Sequence, residues 1–93
     1  MIVAERAAER FRASRFLYGY AKGKATWDPA YPAVAAILQK SALPLLDIGC
    51  GVGLLPAYLR ESGCQQPILG IEPDSANIRI SNAQVPNRSP LLH

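Results

Sequence analysis

Histidine and cysteine are the scarcest resources in this chain. Its 93 residues hold one histidine, His93, and two cysteines, Cys50 and Cys64. A Ser-His-Asp triad or a His/Cys zinc cluster therefore has almost nothing to be built from. The two thiols form no C-x-x-C pair and are read as free rather than bridged. A long apolar run is also missing. The longest nearly uncharged stretch, Ser41 to Leu59, is interrupted by Pro44, Asp47, three glycines and Pro56, which makes a poor membrane span. Charges at Glu5, Arg6, Glu9 and Arg10 leave no apolar core for a secretory signal, so the cytoplasm is the expected compartment. There is no internal repeat and no low-complexity segment.

What is present is globular: 49% hydrophobic and 18% charged residues. A chain this short makes one small domain, burying only about 60–65% of its unfolded surface. The net charge of +3 originates mostly in residues 1 to 24, which hold six basic and two acidic side chains. No aromatic–basic interleaving or nucleic-acid motif accompanies them, so they read as a solvated helix face with no nucleic-acid signature. Gly19-x-x-x-Gly23-Lys24-Ala25 is a phosphate loop only superficially. It is one residue short, follows a helix, and has Ala where Ser or Thr should hold magnesium.

Ile2 to Tyr18 has helical periodicity, with Ala4, Ala8, Phe11 and Tyr18 on one face and Ala7, Phe16 and Leu17 widening it. Gly19 and Gly23 weaken the pattern. A second helix opens at Asp28-Pro29 and continues through Ala33 to Gln39, with Val34, Ile37 and Leu38 as its buried stripe. Trp27 and Tyr31 read as a packing pair at the core edge, with a lid over a ligand as the alternative.

The chain is organised around Leu45-Leu46-Asp47-Ile48-Gly49-Cys50-Gly51-Val52-Gly53. The apolar run from Leu43 to Ile48 reads as a parallel strand buried on both faces. It ends in an acid and three alternate glycines, and Leu54 to Ser62 then resumes a helical pattern closed by Gly63. Strand, glycine turn and helix together bring backbone N–H groups up to a ligand. A second strand, Pro67 to Ile71, ends at Glu72-Pro73-Asp74, and Glu72 stands 19 residues after Gly53. A spacing of about 20 is what a strand-terminal acid needs to meet a ribose. Asp74 or Ser75 caps a last helix to about Ala83, with Ile78 and Ile80 towards the sheet.

Asp47-x-Gly49-x-Gly51-x-Gly53 followed by Glu72 resembles the class I S-adenosylmethionine-dependent methyltransferases. A nicotinamide fingerprint fails here, because G-x-G-x-x-G counted from Gly49 or Gly51 meets Leu54 or Pro56. The resemblance implies an α/β fold with part of a doubly wound, Rossmann-like parallel sheet, and S-adenosyl-L-methionine as cofactor. It implies that Asp47 holds the methionyl ammonium and that Gly49, Cys50 and Gly51 line the methionyl and ribose portion. Gly53 would let the helix pack close, Glu72 would take the ribose hydroxyls, and Pro73 and Asp74 would border the adenine. No catalytic base can be named, and no metal is implied.

The resemblance covers Pro44 to Ala83. The chain divides into an N-terminal helical segment (1–40), a cofactor-binding βαβ unit (41–83) and an irregular tail (84–93). Family members carry further strands, so a truncated methyltransferase is expected, inactive and marginally folded alone. Its two-stranded sheet would expose both edges to self-association. A small-molecule acceptor is favoured, for want of a long basic tract. Another Rossmann-like nucleotide-binding module, or a non-catalytic interaction fragment, are the alternatives.

Overall fold

The computed structural model describes residues 2–49 and 51–84. Among them are five helices and two strands, in the order α1 (Val3–Glu9), α2 (Arg15–Trp27), α3 (Ala30–Gln39), β1 (Leu45–Ile48), α4 (Leu54–Glu61), β2 (Ile68–Ile71) and α5 (Ser75–Gln84). The strands pair in parallel, with Leu45 opposite Ile68 and Asp47 opposite Gly70. The fold is α/β, with α4 as the crossover between the strands. Most of the segment 84–93 lies outside the described residues.

The helix expected from Ile2 to Tyr18 is two helices. Residues 10 to 14 tighten into turns whose amides bond three residues back, as in Phe11 to Ala8 at 2.9 Å and Ser14 to Phe11 at 3.2 Å. Ser14 is extended and accepts the Leu17 N–H at 3.2 Å, capping α2. The break lets Phe11 sink into the core at 2% exposure and leaves Phe16 81% exposed. α2 then runs through Gly19 and Gly23 to Trp27. Each glycine costs a helix about 1 kcal/mol, and the buried face carrying Ala21 and Ala25 offsets that cost.

Asp28 ends α2 and starts α3, its Oδ1 accepting the Ala30 N–H at 3.0 Å. Lys24 lies 2.9 Å from its other oxygen. That ammonium, and then the Ala30 N–H, hold the Asp28 carboxyl below its ordinary range. The buried stripe of α3 is Tyr31, Ala35 and Leu38. It is rotated from the expected one, so that Val34 is half-buried and Ile37 is 68% exposed. Tyr31 takes the inside position because its ring meets Tyr58 edge-on at 5.4 Å. Trp27 does not join it and is 83% exposed.

α4 is the hub. Ala57 and Leu59 have no exposed surface, and Glu61 receives Arg10 at 2.6 Å and Arg6 at 3.3 Å from α1. Its C-terminus closes at Gly63 (φ +91°). There Cys64 N–H reaches Leu59 O at 2.9 Å and Gly63 N–H reaches Arg60 O at 3.1 Å, a Schellman motif. One apolar cluster runs from Ala4 through Leu59 to Ile68, so the N-terminal helices and the βαβ unit share a core. Burial lifts the Cys64 thiol above its usual range.

β1 is not buried on both faces. Leu46 is 52% and Ile48 74% exposed, whereas Leu45 and Ile68 pack into the helical layer. That layer covers one side of the sheet; on the other, Leu46 and Ile48 are exposed and Leu69 and Ile71 half-buried among the described residues.

The start of α4 fixes how closely α5 can approach. Gly53 has φ +88°, and a Cβ there would lie 2.2 Å from Ser81 Oγ and 3.1 Å from its Cα. Gly53→Ala should therefore destabilise the fold by about 2–5 kcal/mol, from left-handed strain and overpacking together. Ser81→Gly in the same chain should restore the packing share and not the strain. Urea midpoints of the two single variants and the double variant check this, and additive effects would contradict it.

Candidate functional site

The glycine turn is held from behind by the end of β2. Gly49 N–H donates to Ile71 O at 2.7 Å, extending the ladder past the strand. Gly51 N–H donates to Glu72 Oε1 at 2.8 Å, and Asp74 N–H donates to Oε2 at 2.9 Å. Glu72 is only 7% exposed, so its carboxylate exchanges water for these two amides. Each oxygen retains a second acceptor position. Asp74 in turn caps α5, its Oδ1 accepting from Ala76 at 2.9 Å and Asn77 at 3.3 Å. One acid thus ties the turn, the strand end and the start of α5 together.

Gly49 and Gly51 have φ of +69° and +58°, in the left-handed region that favours glycine. Nothing lies within 4 Å of a Cβ placed on either. Their bare main chain leaves room where a side chain would stand, which is what a ligand lying close to the backbone requires. That space is a cleft of about 240 Å³. Its walls are Asp47 from β1, Gly49 and Gly51 from the turn, Tyr20 and Lys24 from α2, and Tyr31 from α3.

Asp47, Gly49 and Gly51 are therefore brought together on one cleft. Glu72 stands behind the turn, bound to Gly51. Gly53 is buried against Ser81, and Pro73 and Asp74 are exposed at the start of α5. Cys50 lies outside the described residues. Tyr20 and Lys24 were not expected here. Their i, i+4 spacing carries the signal, hidden because the glycines on either side of Tyr20 argue against a continuous helix.

The cleft presents one cation, Lys24, and one carboxylate, Asp47, with Tyr31 between the layers. Burial first, then Tyr20, Asp28 and Asp47, push the Tyr31 phenol well above the ordinary tyrosine range. An un-ionised phenol on the cleft offers a hydroxyl that can donate a hydrogen bond. A second hollow of about 480 Å³ lies at the opposite end, lined by Ser41, Gly63, Gln66 and Pro67 among others. It is larger but open, and Gln66 spends its amide there on the carbonyls of Leu38 and Ser41, the latter at 2.7 Å. The smaller cleft carries the charge and the bare backbone. Among the described residues no group of three His, Cys, Asp or Glu could hold a metal.

Residues 18–91 match the family model described as methyltransferase domain, and the chain belongs to that family. A similar solved structure is that of the plantazolicin methyltransferase BpumL in complex with SAH, with a TM-score of 0.50 and 15% identity. The likeness covers 97% of this chain and 38% of that one, and at this identity it bears on the fold alone. Comparison with the curated proteins gives no match.

Two outcomes are expected. Glu72→Ala removes two charge-assisted bonds to backbone amides, so the Gly51 amide should exchange with solvent at least about tenfold faster. Unchanged Gly51 protection by NMR would contradict the tie. Absorbance titration of the four tyrosines should show one phenol ionising well after the others, and Tyr31→Phe should abolish that phase. Because the folded pKa is raised, the contribution of Tyr31 to stability is complete below about pH 10 and is lost as pH rises beyond it.

Proposed function

We propose that this chain is the cofactor-binding part of an S-adenosylmethionine-dependent methyltransferase, acting on a small-molecule acceptor. The observation that carries the reading is the glycine turn pinned to Glu72 and opening on a cleft with a carboxylate and an ammonium. The residues fit the cofactor. Gly49 and Gly51 leave room for it against the main chain, and Glu72, buried behind the turn with each oxygen bonded once to a backbone amide, would take the ribose hydroxyls on its remaining acceptor positions. Asp47 takes the methionyl ammonium. Lys24, on the same cleft, takes the methionyl carboxylate, so that the zwitterionic amino-acid end meets both of its counter-charges. Pro73 and Asp74, just beyond Glu72, border the adenine. Gly53 sets how closely the helix approaches.

When bound, S-adenosylmethionine supplies a methyl group on a positively charged sulfur, already activated for attack by an acceptor lone pair. The work of these residues is to orient and to hold. The pinned turn fixes where the amino-acid and ribose ends lie, and alignment of the reacting atoms follows from that. The cytoplasm fits this reading.

NMR titration of the chain with S-adenosylhomocysteine should shift the amides of Gly49 and Gly51, and NAD at equal concentration should not. Glu72→Ala should weaken that binding by at least about tenfold, for two hydrogen bonds at a buried carboxylate. Lys24→Ala should weaken S-adenosylhomocysteine severalfold and leave adenosine unaffected, since adenosine lacks the amino-acid end. Preference for NAD, or an equal loss for adenosine, would contradict the assignment.

A further inference from the structure

A cleft that receives S-adenosylmethionine has to accommodate two cations, the methionyl ammonium assigned to Asp47 and the sulfonium that carries the methyl group. A sulfonium has no N–H or O–H to donate, so it makes no hydrogen bond. The electron-rich face of an aromatic ring attracts such a cation. The cleft has two aromatic walls, Tyr20 and Tyr31. Tyr31 is 9% exposed and its ring is engaged edge-on with Tyr58 at 5.4 Å. Tyr20 is 49% exposed, which leaves ring surface for a ligand. Val52, Leu54 and Leu55 on the same walls are aliphatic and offer neither charge nor a π face.

The spacing along α2 puts that ring in range. Tyr20 stands four residues before Lys24, about 6 Å along the helix axis and on the same side of it. The methionyl chain is of similar length between its carboxylate and its sulfur, so with Lys24 on the carboxylate the sulfur falls beside Tyr20. Charge agrees with this placement. Lys24 lies 2.9 Å from Asp28 Oδ2, and Asp47 lines the cleft, so two carboxylates stand against one ammonium. The formal excess of one negative charge matches the net positive charge of S-adenosylmethionine, whereas S-adenosylhomocysteine has none. We propose, resting on the cofactor reading above, that Tyr20 is a specificity-determining residue whose ring takes the sulfonium. The site then holds S-adenosylmethionine more tightly than the product, in which the same sulfur is a neutral thioether, and is biased against inhibition by that product.

Binding, and not turnover, tests this. The chain is titrated calorimetrically with S-adenosylmethionine and with S-adenosylhomocysteine, and the S-methyl proton resonance of bound S-adenosylmethionine is followed by NMR. S-adenosylmethionine should bind about threefold to tenfold more tightly, the range a cation–π contact supplies. Its methyl resonance should move upfield under the ring current. Tyr20→Phe keeps the ring and should keep both effects. Tyr20→Leu should abolish the upfield shift and the preference, with the circular dichroism unchanged and the affinity for S-adenosylhomocysteine altered by less than about twofold. Equal affinity of the parent chain for the two ligands, an unshifted methyl resonance, or equal weakening of both ligands in Tyr20→Leu would overturn the proposal and leave the cofactor reading standing. Loss of the preference in Tyr20→Phe would assign it to the hydroxyl and overturn the proposal as well. Binding of neither ligand by the parent chain would overturn the cofactor reading, and the proposal with it.

Discussion

The Glu72 carboxylate is the constraint on which the arrangement of the site depends. A turn with three glycines at alternate positions, in left-handed conformation at Gly49, Gly51 and Gly53, has many conformations open to it when free. Two hydrogen bonds that one buried side chain accepts, from the Gly51 and Asp74 N–H groups, select one of them. The turn, the end of β2 and the cap of α5 then move as one piece. The backbone of the turn is thus set in place, its Gly49 and Gly51 amides already bonded to Ile71 and Glu72, and such preorganisation lowers the cost of binding.

The remainder of the fold serves that piece from one side. α4 rises from Gly53, and Ser81 of α5 fills the space where a Cβ would stand. Glu61 at the far end of α4 gathers Arg6 and Arg10, which anchors α1, and α1 packs against α2. The chain of contacts thus ends at Tyr20 and Lys24, returned to the mouth of the glycine turn by a helix that begins far from it in sequence. The N-terminal helices form a wall of the cleft as well as part of the core.

How much could be read in advance follows from the range of the forces. The strand, the glycines and Glu72 were legible because positive φ and backbone exposure are local demands that few residues meet. Both strands and the helix between them stand close to where periodicity put them. The break before Ser14 was not legible, since a serine in a helical pattern signals a cap only when Phe11 has a core to enter. The continuation of α2 through Gly19 and Gly23 was hidden for the same reason, because packing of Ala21 and Ala25 outweighs a local penalty. The rotation of α3 depends on one ring contact between Tyr31 and Tyr58. The exposure of Leu46 and Ile48 was missed because an apolar run states what a strand could bury and not which of its faces is covered.

The central claim is that a nucleoside lies between the glycine turn and the end of β2. Intermolecular nuclear Overhauser effects from bound S-adenosylhomocysteine test it most directly. The account predicts contacts from the ribose protons to the Gly51 and Asp74 amides, and from the methionyl protons to Gly49 and Tyr20. Contacts to Gly63, Gln66 and Pro67 instead, in the larger hollow at the opposite end, would contradict it.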